Sequence, residues 1–133
     1  MNGLDEFIKD WESREYQRAV NDCAIMVADW ILLKTGIDGA APLRGKYINA
    51  AQALRGMKAL GAQHPGDLID PILKRGELVH KAGNVAEVLS GEKINPVGIM
   101  RRGFRDVAVM SPDGIVNVPF VYVSRTWSVP DGN

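Results

Sequence analysis

The sequence predicts an α+β fold in which helices from the first half pack on an antiparallel sheet from the second. Two observations carry this. Up to about residue 75, apolar residues recur at the spacing of a buried helix face. From residue 76 to about 129 the pattern becomes short runs rich in valine and isoleucine, bounded by glycine, proline, serine or asparagine. Those runs follow one another without an intervening helical stretch, so they read as a meander of antiparallel strands. The 133 residues form one domain, residues 1–133, of a length that suits a single core.

In chain order, Leu4, Phe7, Ile8 and Trp11 mark an amphipathic helix from about Gly3 to Glu15. Asn21 or Asp22 then caps a second helix, which Gly36 ends. Ala24, Val27 and Ile31 give this helix a broad apolar surface, so it is expected to be the central one. "GIDGAAPLRG" is a loop. A third helix runs from about Ile48 to Leu60, and "HPGDLIDPILKRG" makes a turn with one or two helical turns. Strands are expected within "ELVHKAGNVAEVLS", "PVGIMRRG", "RDVAVM", "GIVNVP" and "FVYVSRTWSV", with Pro112-Asp113-Gly114 as a hairpin turn. The terminal "PDGN" is expected to fray.

Composition excludes several classes of function. Sixteen basic and sixteen acidic side chains cancel, so no long-range field draws in nucleic acid or an anionic membrane. "RRGFR" (Arg101–Arg105) is a local basic cluster and reads as a solvated hairpin end. No phosphate-cradling glycine motif occurs. One cysteine and two histidines make a poor metal set, so no metal and no cofactor is expected. The acidic, amphipathic start does not read as a signal peptide, and no apolar run of about 18 residues is present to insert in a membrane.

Cys23 is the one residue with obvious chemical potential. In the first turn of the second helix it meets free backbone N–H groups and the positive end of the helix dipole. Both stabilise a thiolate and lower its pKa. The alternative is that Cys23 is a small buried apolar residue, as free cysteines often are.

The stretch "YQRAVNDCA" (Tyr16–Ala24) resembles the nucleophile region of the NlpC-type cell-wall peptidase superfamily, where an aromatic residue and a short spacer precede Asp-Cys at a helix start. "GNVAEV" (Gly83–Val88) is similar to that superfamily's Gly-Asp-Val strand, and "PVGIM" (Pro96–Met100) to its His-Val-Gly-Ile-Tyr strand. The longer "DCAIMVADWILLKTGIDGAAPLRGKY" resembles a subgroup of phage and prophage proteins. Together these cover about Tyr16 to Trp127. The resemblance implies a papain-like fold with Cys23 in the nucleophile position. It also implies a broken catalytic set, because Pro96 stands where the superfamily has its general-base histidine and Asn84 where it has aspartate. Proline has no titratable group and cannot take the thiol proton. His80 is the one alternative base, His64 reads as a loop residue, and Asp106 falls near the superfamily's third, orienting polar residue.

Two functions follow from the resemblance. In the first the chain is a phage or prophage virion structural protein, at the tail tip or hub, made in the host cytoplasm and incorporated into the tail. Its partners are then other tail or hub proteins, and its docking surfaces the loops around "GIDGAAPLRGKY" and "RRGFR". Arg44 and Tyr47 lead there, since arginine and tyrosine are enriched at interface hot spots. In the second, Cys23 still attacks an amide of peptidoglycan as a cysteine peptidase. Neither function involves nucleic acid.

Overall fold

The computed structural model describes residues 3–103 and 105–132. It holds four helices, α1 (Leu4–Glu12), α2 (Cys23–Thr35), α3 (Ala50–Ala59) and α4 (Pro65–Ile69), followed by five strands. These are β1 (Val85–Val88), β2 (Val97–Met100), β3 (Asp106–Ser111), β4 (Gly114–Pro119) and β5 (Val123–Trp127), with a 3₁₀ turn at Phe120–Tyr122 before β5. The strands form one antiparallel sheet in the order β4-β3-β2-β1-β5. The mixed helix-and-sheet class expected from the change of period is therefore present.

Each helix starts and stops for a local reason. Helix α1 buries Leu4, Phe7, Ile8 and Trp11 but stops at Glu12, earlier than its apolar spacing suggests. There the Ser13 hydroxyl donates to the Asp10 carbonyl at 2.7 Å and competes with continuation of the helix. Of the two possible caps for α2, Asp22 takes the role, accepting from the Ile25 N–H at 2.9 Å. Gly36 closes α2 with φ +78°, a left-handed conformation that a side chain resists. Asn49 caps α3 by accepting from the Gln52 N–H, and Pro65 occupies the first turn of α4, where its missing N–H costs nothing.

Helix α2 is the central helix. It buries Ile25, Met26, Val27, Trp30 and Ile31 against Val97 and Ile99 of β2 and Ala108 and Met110 of β3. Trp11, Trp30 and Trp127 are fully buried in this same core, and the indole N–H of Trp30 donates to the Gly83 carbonyl at 2.8 Å. Burying side chains of this kind is worth about 1.5–3 kcal/mol each. The opposite face of the sheet is also apolar. Ala86, Val88, Met100, Val107, Val109 and Val123 pack there with Val118 and Phe120. Strand β2 can lie this close to β3 because residue 98 is glycine: a Cβ there would stand 2.4 Å from the Ala108 carbonyl oxygen.

The termini of the strand region differ from expectation. "ELVHKAGNVAEVLS" yields a strand only at Val85–Val88, because Gly83 turns the chain with φ +90° and is backed by the carbonyl of Gly132. That contact also buries Gly132, and the Asn84 side chain accepts from the Val129 N–H at 3.1 Å. The end of the chain is thus tied to the sheet rather than frayed as far as Gly132. Phe104, the aromatic of the "RRGFR" cluster, lies outside the described residues. Among the described residues no helix is long and apolar enough to cross a membrane.

Candidate functional site

Asp22 and Cys23 sit where a tight turn enters α2. Ala19 adopts φ +64°, a strained conformation for a residue with a side chain. Its N–H donates to Asp22 Oδ2 at 2.8 Å, while Asp22 Oδ1 serves the Ile25 N–H. A third donor reaches the same carboxylate: the Tyr47 hydroxyl, 2.5 Å from Asp22 Oδ2. Both Asp22 and Tyr47 are buried. Burial and the adjoining Asp22 charge push the Tyr47 phenol well above its ordinary pKa.

Cys23 is the first residue of α2 and half-buried, and it packs against both apolar clusters. Its thiol is pushed up to about 11, first by burial and second by the neighbouring Asp22 charge. The backbone amides of Val97, Ala24 and Cys23 itself pull the other way and lose. This corrects the expectation that the helix start would lower the thiol pKa. The dipole and free amides are present, but the same position also brings an apolar surround and a carboxylate one residue away.

The thiol borders two hollows. One is an open groove lined by Tyr16, Pro96, Leu89, Val116 and Tyr122 among others; the second is an apolar recess between α2, α3, α4 and the loop before Tyr47. Pro96 therefore shares the groove with Cys23. Neither histidine lines either hollow. His64 Nδ1 accepts from the Asn95 N–H at 2.9 Å. His80, the candidate base, has Nε2 3.2 Å from the Asp106 carbonyl oxygen and packs edge-on against Phe120. Among the described residues no group of three His, Cys, Asp or Glu side chains could hold a metal ion.

The family described as Domain of unknown function (DUF6950) matches residues 2–129. The chain belongs to that family. No curated protein and no solved structure matches it.

The two residues singled out for docking have internal work in this DUF6950 domain. Tyr47 is buried on Asp22, as described. The Arg44 guanidinium donates to Asp38 through Nε at 2.9 Å and pairs with Asp29 through Nη2 at 2.8 Å, pinning the loop to α2. Arg44 keeps partial exposure, whereas Tyr47 is buried.

A second polar cluster in the DUF6950 domain escapes sequence reasoning. Glu87, buried on β1, holds the Arg125 guanidinium of β5 through both carboxylate oxygens and also accepts from the Ser124 hydroxyl. Arg125 reaches on to Asp67 of α4 at 2.9 Å, and Asp70 accepts from the Trp127 indole and from Arg75. Gly66 allows this approach, since a Cβ there would lie 2.6 Å from Arg125 Nη2. The only sequence signal was one charged residue in each of two strands, "VAEV" and "VSRTW", which is also what a solvent-facing side chain looks like.

This cluster gives the domain an acid-sensitive joint. Asp70 is held down to about 2, chiefly by its bonds from Arg75 and then from Trp127, against an unfolded value near 3.9. Asp67 is also lowered: its burial alone would raise it, but the His64 and Gln63 amides and Arg125 outweigh that. A depressed carboxylate stabilises the fold above its unfolded pKa and loses that contribution as pH falls through its folded one. Stability measured by urea unfolding should therefore fall between about pH 4 and pH 2, and Asp70→Asn should flatten that limb. An unchanged acid limb in the variant would remove Asp70 from the explanation.

Proposed function

We propose that this DUF6950 chain is a papain-like, NlpC-type domain that no longer hydrolyses anything and serves as a structural part of a phage or prophage tail, at the tip or hub. The observation that supports this most is the pairing of Cys23 with Pro96 in one groove while both imidazoles are engaged elsewhere. A cysteine peptidase needs its base within hydrogen-bond reach of a thiol that ionises near neutral pH. Here the residue beside the thiol cannot accept a proton, and burial with Asp22 keeps the thiol protonated. The arrangement of a cysteine opening a helix against an antiparallel sheet is what the superfamily resemblance implies for fold, and the tail assignment rests on that resemblance. With the chemistry gone, what remains for selection is shape and surface.

The test has two arms. Purified protein and its Cys23→Ala variant are incubated with peptidoglycan, and released peptides are measured; neither should release any. Particles are then assembled with each form and with Arg44→Ala, and incorporation is read from the particles. Cys23→Ala should incorporate like the wild type and Arg44→Ala poorly, with the isolated domain still folded. Tyr47→Ala is unsuited to this arm, because it breaks the Asp22 bond. Peptide release by wild type that Cys23→Ala abolishes would replace this reading with the peptidase one, and absence of the chain from particles would refute the tail assignment.

A further inference from the structure

The recess between α2, α3 and α4 is the feature that neither the structural role nor the lost chemistry uses. Its volume is about 120 Å³, close to the roughly 150 Å³ of an apolar protein cavity that admits benzene. Ile31, Leu43, Met57, Leu68 and Ile72 wall it with aliphatic surface. The recess is partly open to solvent rather than an internal void, so a small molecule can reach its aliphatic walls. Its polar end is formed by Tyr16, Arg18, Asp22, Cys23 and Tyr47.

The charges at that end choose the kind of ligand. Among the residues lining the recess only Arg18 and Asp22 carry charge. The Asp22 carboxylate already accepts from the Ala19 N–H, the Ile25 N–H and the Tyr47 hydroxyl, so its oxygens are spoken for. The Arg18 side chain is exposed beside the Tyr16 phenol. An entering molecule therefore meets an apolar hole of about one ring's size with an accessible cation at its rim. We propose that this recess binds a small carboxylate carrying an apolar tail, such as an aryl or branched-chain acid, with the tail among the aliphatic side chains and the carboxylate at Arg18. The site does not depend on the tail assignment or on any activity of Cys23.

Three probes that share a phenyl ring separate the two parts of the proposal: phenylacetate, benzyl alcohol and benzylamine, each titrated against the whole chain while the Met57 methyl resonance is followed by NMR. Phenylacetate should give a saturable shift of that methyl, with benzyl alcohol about three- to fivefold weaker, the size of an exposed ion pair, and benzylamine weaker still. Arg18→Gln should bring phenylacetate down to the level of benzyl alcohol and leave benzyl alcohol unchanged. Ala53→Leu, which fills the recess from α3, should abolish all three responses. Wild-type protein that shows no saturable shift at Met57 would overturn the site, whatever becomes of the filled variant. Equal affinity for the three probes, or an Arg18→Gln variant that still prefers phenylacetate, would overturn the assignment of the carboxylate to Arg18.

Discussion

Cys23 should be alkylated by iodoacetamide about 30-fold more slowly at pH 7 than an unperturbed cysteine, with a rate that keeps rising to an inflection near pH 11. With the thiol at about 11 against an ordinary value near 8.5, its thiolate fraction at neutral pH is about 300-fold smaller. A more basic thiolate is intrinsically more nucleophilic, which restores about tenfold and leaves the net of about 30-fold. Asp22 supplies part of the shift through its charge, so Asp22→Asn should move the inflection downward while burial keeps it above the ordinary value. A peptidase would behave in the opposite way. An inflection below pH 8 in the wild type would mean that the helix-start amides win after all, and with them the enzymatic reading.

Asp22→Ala should destabilise the domain by about 3–7 kcal/mol, read from the urea midpoint. One carboxylate satisfies three donors from three parts of the chain: the Ala19 N–H of the strained turn, the Ile25 N–H of α2 and the Tyr47 hydroxyl of the long loop. Losing a helix cap costs about 1 kcal/mol. Leaving two further buried donors without a partner adds about 1–3 kcal/mol each. Against a typical total of about 5–15 kcal/mol, that is a large share. Tyr47→Phe removes one of the three bonds and should cost about 1–2 kcal/mol. Combined with Asp22→Ala it should add much less than its own value, because the bond is already gone. A loss below 1 kcal/mol in Asp22→Ala would show that the turn, helix and loop are held by packing instead.

Helices were legible in the sequence because their signals are local. The apolar spacing of Leu4, Phe7, Ile8 and Trp11, the Asp22 cap and the Gly36 stop each act within a few residues, and each is found in the structure. Strand limits were less legible. The loop before Val85 is set by Gly83 meeting Gly132, residues far apart in the chain. At the candidate site, the position of Cys23 at a helix start followed from sequence, as did the absence of a titratable group at Pro96. The chemical state of the thiol did not follow. It depends on the apolar surfaces packed around the sulfur, which no stretch near residue 23 encodes.

What the sequence by itself determined is the order of helices and strands, the mixed α and β class, and the residue types available at each point: one thiol, two imidazoles, a proline at position 96. What only the tertiary structure decided is how those groups meet. Tyr47 and Arg44 looked like contacts for a partner because their residue types favour interfaces. Folding turned Tyr47 onto Asp22 and tied Arg44 to Asp29 and Asp38. Glu87 and Arg125, ordinary alternating residues in their strands, became a buried pair through β1–β5 pairing. The physical reason is the same in each case. Capping and periodicity depend on neighbours in sequence, whereas burial, charge pairing and thiol ionisation depend on neighbours in space.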